Sequence, residues 1–213
     1  MRYKIMLKYF TIINIFLFYG CGNYLKDNAL VRYFTKEPGR PPKVKVKSAD
    51  GKEETVQVPD RYRKVYVHNF QNNSYGPGLH VMLTQALKSE IDRRGRFIQT
   101  RDKSEAMFRI YGSVTHYQKI GNIMDYANQQ ISSEITMLAK IELQDSTGEK
   151  IQLPRDEAMG RAYYSEQIGY RESEEQAQLR MVNNLAMRLS EETEDGWYYH
   201  IVNTYYPPEE KKE

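Results

Sequence analysis

From residue 64 onward, the spacing of apolar and polar positions divides the chain into separate elements. Val65-Tyr66-Val67-His68-Asn69-Phe70 is β-branched and aromatic and runs into the polar cluster Gln71-Asn72-Asn73-Ser74, which predicts a strand entering a turn. Gly76-Pro77 then offers a cap and a first-turn proline. Leu79, Met82, Leu83, Ala86, Leu87 and Ile91 follow at steps of three and four, the apolar stripe of a helix that stops near Gly95. A short strand, Phe97-Ile98-Gln99, comes next. Phe108, Ile110 and Val114 alternate with Arg109 and Tyr111 in a strand reaching Lys119, and a loop from Gly121 to Ala127 reverses the chain. Ile131, Ile135, Met137, Ala139, Ile141 and Leu143 share one parity, whereas Glu134, Thr136, Lys140 and Glu142 share the other, so the next strand is long and has one wet side. Thr147-Gly148 makes its turn, and a further strand covers Ala158 to Tyr164. Ser173-Glu174-Glu175-Gln176 has the spacing of a capping box, and Leu179, Val182, Leu185, Ala186 and Leu189 give the last helix its apolar stripe.

Strand, helix, three or four strands, helix is an α+β order. It predicts a two-layer sandwich with two helices packed on one face of a four- to five-stranded mixed sheet. Upstream, Val44-Lys45-Val46-Lys47, Asp50-Gly51 and Thr55-Val56-Gln57-Val58 suggest a small polar hairpin. Its basic residues Arg40, Lys43, Lys45 and Lys47 suit either acidic lipid head groups or the solvated face of an exposed strand. Pro207-Pro208-Glu209-Glu210-Lys211-Lys212-Glu213 is too polar to pack and predicts a disordered tail over 203–213.

The first twenty residues follow a different rule. Arg2, Lys4 and Lys8 form a positive segment without acids, followed by the apolar run Tyr9 to Phe18, the pattern of an export signal. That run falls short of the roughly 20 residues a spanning helix needs, and Asn14 interrupts it. The chain carries one cysteine, Cys21, directly after Gly20. Leu17-Phe18-Tyr19-Gly20-Cys21 resembles the lipobox of bacterial lipoproteins, which implies a covalent lipid on Cys21, cleavage before it, and a lipidated tether over 21–60 ahead of a domain at 61–202. A lone cysteine makes no internal disulfide, and an exported thiol used up in a thioether fits that solitude.

Composition and charge narrow the function. Charged residues make up 28% of the chain, and its formal net charge is +3. Removing Arg2, Lys4 and Lys8 with the leader leaves as many acids as bases, so nucleic acid loses its electrostatic argument as a partner. There is no GxxxxGK[ST], GxGxxG, GxSxG, HExxH or paired CxxC, and His68, His80, His116 and His200 are scattered without metal-ligand spacing. Glu172, Glu174 and Glu175 gather at a helix start, where the dipole accounts for them. Tyr163-Tyr164, Tyr198-Tyr199 and Trp197 read as half-buried packing or anchors. The chain is expected not to be an enzyme and to need no cofactor beyond the lipid on Cys21.

Several segments together resemble the lipopolysaccharide-assembly lipoprotein family LptE. They are Val65 to Asn72, Tyr75-Gly76-Pro77-Gly78-Leu79 running into Leu83-Thr84-Gln85-Ala86-Leu87, Arg94-Gly95, Ile110-Tyr111-Gly112-Ser113-Val114, Ala139 to Asp145 before Gly148, and the glutamate-rich final helix ending near Gly196-Trp197. The insertion from Asn23 to Asp60, and His80 where an acidic residue is common, depart from the pattern. The resemblance implies a non-enzymatic outer-membrane subunit that sits inside the LptD β-barrel, the lipopolysaccharide translocon, assists its assembly and binds lipopolysaccharide. It faces the periplasm or the barrel lumen. In such a site basic side chains would meet lipid phosphates, and the candidates are Lys119, Arg93, Arg94 and Arg96. A lipoprotein activator of a peptidoglycan synthase is the alternative, although the span from Cys21 to the first strand, partly hairpin, is short for a tether crossing peptidoglycan. A periplasmic hydrolase would need a nucleophile and base that the sequence does not display.

Overall fold

Backbone pairing sorts the strands into two sheets. The computed structural model describes residues 43–47, 53–124, 130–165 and 172–205, all within one unit spanning Gly39–Glu213. β1 (Lys43–Lys47) and β2 (Glu53–Gln57) pair antiparallel as the expected hairpin, with Lys43 opposite Gln57 and Lys47 opposite Glu53. The Asp50-Gly51 turn, the leader, Cys21 and the tail from 206 onward lie outside the described residues.

The main sheet has seven strands: β3 (Lys64–Val67), β4 (Gln71–Asn72), β5 (Ile98–Gln99), β6 (Phe108–Met124), β7 (Gln130–Asp145), β8 (Lys150–Ile151) and β9 (Glu157–Ser165). Their order is β5-β3-β6-β7-β8, with β4 beside β6 and β9 beside β7. β3 and β4 run in succession, parallel to β6, and β8 and β9 run in succession, antiparallel to β7. Seven strands thus fill five positions across a mixed sheet, which reconciles the larger count with the predicted one. Among the described residues two α-helices, α1 (Leu79–Arg94) and α2 (Glu174–Tyr205), complete the α+β architecture.

Parity decides which side of the sheet is dry. Val65, Val67, Phe108, Ile110, Val114, Ile135, Met137, Ala139, Ile141, Leu143 and Ala162 are buried and form one cluster with Leu79, Leu83, Leu87 and Ile91 of α1 and Met181, Val182, Leu185, Leu189 and Trp197 of α2. Both helices therefore cover the same face. Burying each large side chain contributes about 1.5–3 kcal/mol, so this layer dominates stability. The opposite parity, Tyr66, Arg109, Tyr111, Ser113, Lys140, Glu142, Met159, Arg161 and Tyr163, forms an outer face that neither helix covers.

Five elements differ from the sequence expectation, each for a local reason. Gln71-Asn72 does not turn: it pairs with Ser113 and Val114, and the turn follows it, where Asn72 Oδ1 accepts from the Ser74 amide at 3.1 Å. Pro77 precedes the helix instead of starting it, because the amides of Val81 and Met82 donate to Gly78 O and make Gly78 the cap. β6 runs past Lys119 to Met124, since register shifts around Gly121 and Ile123 absorb the glycine without ending the ladder. Leu179 is 52% exposed, the buried stripe passing instead through Ala177 and Met181. Finally, α2 continues past Trp197 to Tyr205, so residues 203–205 are helix and not tail. The capping box forms as expected: Gln176 N donates to Ser173 Oγ at 3.2 Å and Ser173 N to Gln176 Oε1 at 3.0 Å.

Candidate functional site

Strand register assembles the outer face from residues far apart in sequence. β3 places Tyr66 opposite Arg109 of β6, and β6 places Tyr111 opposite Glu142 and Ser113 opposite Lys140 of β7. Just past the end of β3, His68 donates its backbone amide to Ile110 O at 2.9 Å, which holds its ring against Tyr111, stacked at 4.1 Å, with Tyr66 edge-on at 4.7 Å. Burial, then the charges of Lys103, Arg109 and Lys88, lower the His68 pKa below its ordinary value, so the imidazole is neutral at pH 7. His68 Nε2 and Arg109 Nε are buried without a hydrogen-bond partner among the described residues.

A pocket of about 260 Å³ opens beside this aromatic row, lined by Asn69, Gln71, Tyr111, Lys140, Glu142 and Lys150 among others. Lys150 pairs with Glu142 at 3.1 Å, and Gln144 donates to Glu142 at 2.6 Å, which together lower the carboxyl pKa. Lys140 is exposed and forms no ion pair among the described residues, so its charge is available to an anion. Towards β9 the face turns apolar: Met159 is 46% and Tyr163 52% exposed, beside the Arg161–Glu134 pair at 2.7 Å. Charge, amides and aromatic surface of this kind bind and orient. A nucleophile with a positioned base is not among them.

A second pocket, about 460 Å³, lies between the segment after β8 and the last turns of α2, lined by Leu153, Pro154, Tyr199, His200 and Asn203 among others. It carries no lysine, arginine or carboxylate. Among the described residues no three His, Cys, Asp or Glu side chains gather as a metal set, and no helix is long and apolar enough to cross a membrane.

The four basic residues singled out by sequence fall at two places. Lys119 Nζ meets Glu174 Oε2 at 2.6 Å, and Tyr117 and Tyr164 donate to the same carboxylate at 3.0 and 3.2 Å. That partnership raises the Lys119 pKa and lowers that of Glu174. At the end of α1, Arg93 pairs with Glu90 at 2.6 Å and remains 60% exposed. Arg94 and Arg96 converge on Glu194 at 2.7 and 3.2 Å, where the carboxylate is wholly buried. Burial opposes the charge of Arg94, yet Glu194, Glu191 and Glu90 outweigh it and raise the pKa further. Glu174 and Glu194 are about 30 Å apart along α2, so Lys119 and the arginines do not share one pocket. The outer-face row escaped sequence reading because Tyr66, His68 and Tyr111 meet only through the β3–β6 register; the alternation of Arg109 and Tyr111 with apolar residues was its one visible trace.

These elements have known counterparts. The profile of the LptE family, described as Lipopolysaccharide-assembly, matches residues 62–191, from just before β3 to beyond the middle of α2. A comparison with curated proteins finds no match. Among solved structures the chain is similar to the hypothetical protein CT253 from Chlamydia trachomatis (8% identity, 63% of this chain and 96% of that one, TM-score 0.45). It is also similar to a minor lipoprotein from Acinetobacter baumannii (13% identity, 63% and 94% coverage, TM-score 0.42) and to lipoprotein GNA1162 from Neisseria meningitidis (12% identity, 60% and 98% coverage, TM-score 0.37). Likeness at that distance says nothing about what this chain does. The profile match spans well over half of the residues and every element that builds the two-layer core, and on that ground the chain belongs to the LptE lipopolysaccharide-assembly family.

Proposed function

We propose that this chain is a non-enzymatic outer-membrane lipoprotein, held by a lipid on Cys21, that seats within a β-barrel of the LptD kind, assists its assembly and binds lipopolysaccharide. The family membership over residues 62–191 carries this reading. The outer sheet face supplies physical support: a barrel wall would cover the half-exposed side chains of Met159 and Tyr163. Of the basic candidates, Arg93 and Lys119 present charge to solvent, 60% and 41% exposed, and together with Lys140 they are the groups proposed to meet lipid phosphates. Arg94 and Arg96 serve the link to α2.

Affinity purification from detergent-solubilised membranes tests the reading. The expected companion is a large β-barrel protein. Recovery of a penicillin-binding protein without a barrel would replace the proposal with the peptidoglycan-synthase activator, and recovery of neither would remove it. Cys21→Ala is expected to abolish labelling by a fatty-acid probe while leaving the domain folded, and retained labelling refutes the anchor.

A further inference from the structure

The β1–β2 hairpin lies outside the matched family region and belongs to no part of the two-layer core. Register puts Lys43, Lys45 and Lys47 at alternate positions of β1, hence on one face, opposite Gln57, Thr55 and Glu53 in turn. Two of the three lysines thus stand across from uncharged residues, and Thr55 and Gln57 are exposed. Val44 pairs with Val56 on the other face. In sequence, Arg40 adds a fourth cation three residues before β1. A two-stranded hairpin on its own is marginal in water, and among the described residues this one pairs with no other strand. Val58, one residue beyond β2, is buried in the core and ties the hairpin's exit to the domain. Its entry leads back 22 residues to Cys21, a span of at most about 75 Å.

We infer that the lysine face of this hairpin docks on the anionic phospholipid surface to which the chain is anchored, a contact that rests on the lipid-anchor part of the proposed function and not on the barrel. Successive lysines on one strand face lie about 6.6 Å apart, close enough to meet neighbouring phosphates together. Three lysines at alternate positions of one strand, in a chain that the lipid already holds at the membrane, add an electrostatic hold that acylation alone lacks. The hairpin then orients the domain, with its exit at Val58 fixed to the core and its cationic face on the bilayer.

Hydrogen–deuterium exchange tests this on the mature chain purified from membranes, with lipid on Cys21 read by mass spectrometry, and reconstituted into phosphatidylcholine vesicles with or without one-third phosphatidylglycerol. Amides of 43–47 and 53–57 are expected to exchange about tenfold more slowly, or slower still, on the anionic vesicles. The effect should vanish near 1 M salt, where the Debye length falls to about 3 Å. K43Q/K45Q/K47Q should abolish the slowing and K43R/K45R/K47R should keep it, with exchange in α1 and β7 unchanged in both. Equal slowing on neutral vesicles, or its survival in the glutamine variant, overturns the inference. Slowing that appears only when lipopolysaccharide is in the vesicles overturns the phospholipid assignment in favour of lipopolysaccharide phosphates. An unmodified Cys21 removes the anchor alone, and the same chain is then assayed by co-sedimentation with the two vesicle types, where lack of preference for the anionic ones overturns the docking.

Discussion

Single residues govern how the two helices stay together. Glu194 has no exposed side-chain surface and holds Arg94 through two hydrogen bonds, 2.7 and 3.0 Å, with Arg96 at 3.2 Å. Removing one member of such a group leaves the others charged and desolvated, so Glu194→Ala is expected to cost about 3–5 kcal/mol, read as a lowered urea midpoint. Arg93, exposed and paired with Glu90 one turn away in its own helix, should cost less than about 0.5 kcal/mol when changed to alanine. A steric constraint acts next door. A Cβ on Gly196 would lie 3.0 Å from the Gln152 carbonyl oxygen and 3.2 Å from Leu153 Cα, backbone atoms that cannot swing aside. Alanine is otherwise the better helix former by about 1 kcal/mol, but the overlap wins, and Gly196→Ala is expected to destabilise by about 1–2 kcal/mol in a thermal melt. Neither effect shows in the sequence. Glu194 reads there as one acid among several on a helix, and Gly196 as a helix end.

Elements are fastened at their termini. The first turn of α2 is tied to β6 and β9 through Glu174, which accepts from Lys119, Tyr117 and Tyr164, while Gln178 donates to Tyr117 Oη at 2.8 Å. Lys119 first, with help from the two tyrosines, depresses the Glu174 carboxyl below its ordinary 4.5. A depressed carboxyl stabilises the fold above its unfolded pKa, and that contribution is lost as pH falls through the lower folded value. Wild-type protein should therefore lose the contribution below about pH 4, whereas Glu174→Gln should be weaker at neutral pH by up to about 1 kcal/mol and level with wild type in acid. Parallel pH titrations of the urea midpoint check both arms. The capping box at Ser173 and the stop at Gly95 were legible from local chemistry. The exclusion of Leu179 from the buried stripe was not, because the face that α2 buries is chosen by β9 and α1 together and only then by helical period.

At the scale of the molecule, one sheet face is closed by helices and the other stands open. Met159 and Tyr163 already lie half in solvent, so Met159→Ala with Tyr163→Ala should change stability by less than about 0.5 kcal/mol. If a barrel wall covers this face, the double variant should co-purify with much less of the barrel partner while melting as wild type does. Undiminished recovery would place the contact elsewhere. The family profile begins at residue 62, so the partner contacts proposed for the core and the lipid contacts inferred for the hairpin are separable by mutation.

What the sequence determined by itself is what rests on near neighbours: strand parity in β6 and β7, the stop of α1 at Gly95, the capping box of α2, the hairpin, and the α+β order that follows. What waited for tertiary structure is what depends on register between distant segments. Gln71-Asn72 becomes a strand only because β6 offers an open edge, Arg94 becomes a core residue only because Glu194 arrives a hundred residues later, and Tyr66, His68, Tyr111 and Lys140 become one surface only once three strands are laid side by side. Local propensity is set within a few residues, whereas a binding face is a sum over contacts that chain order does not encode.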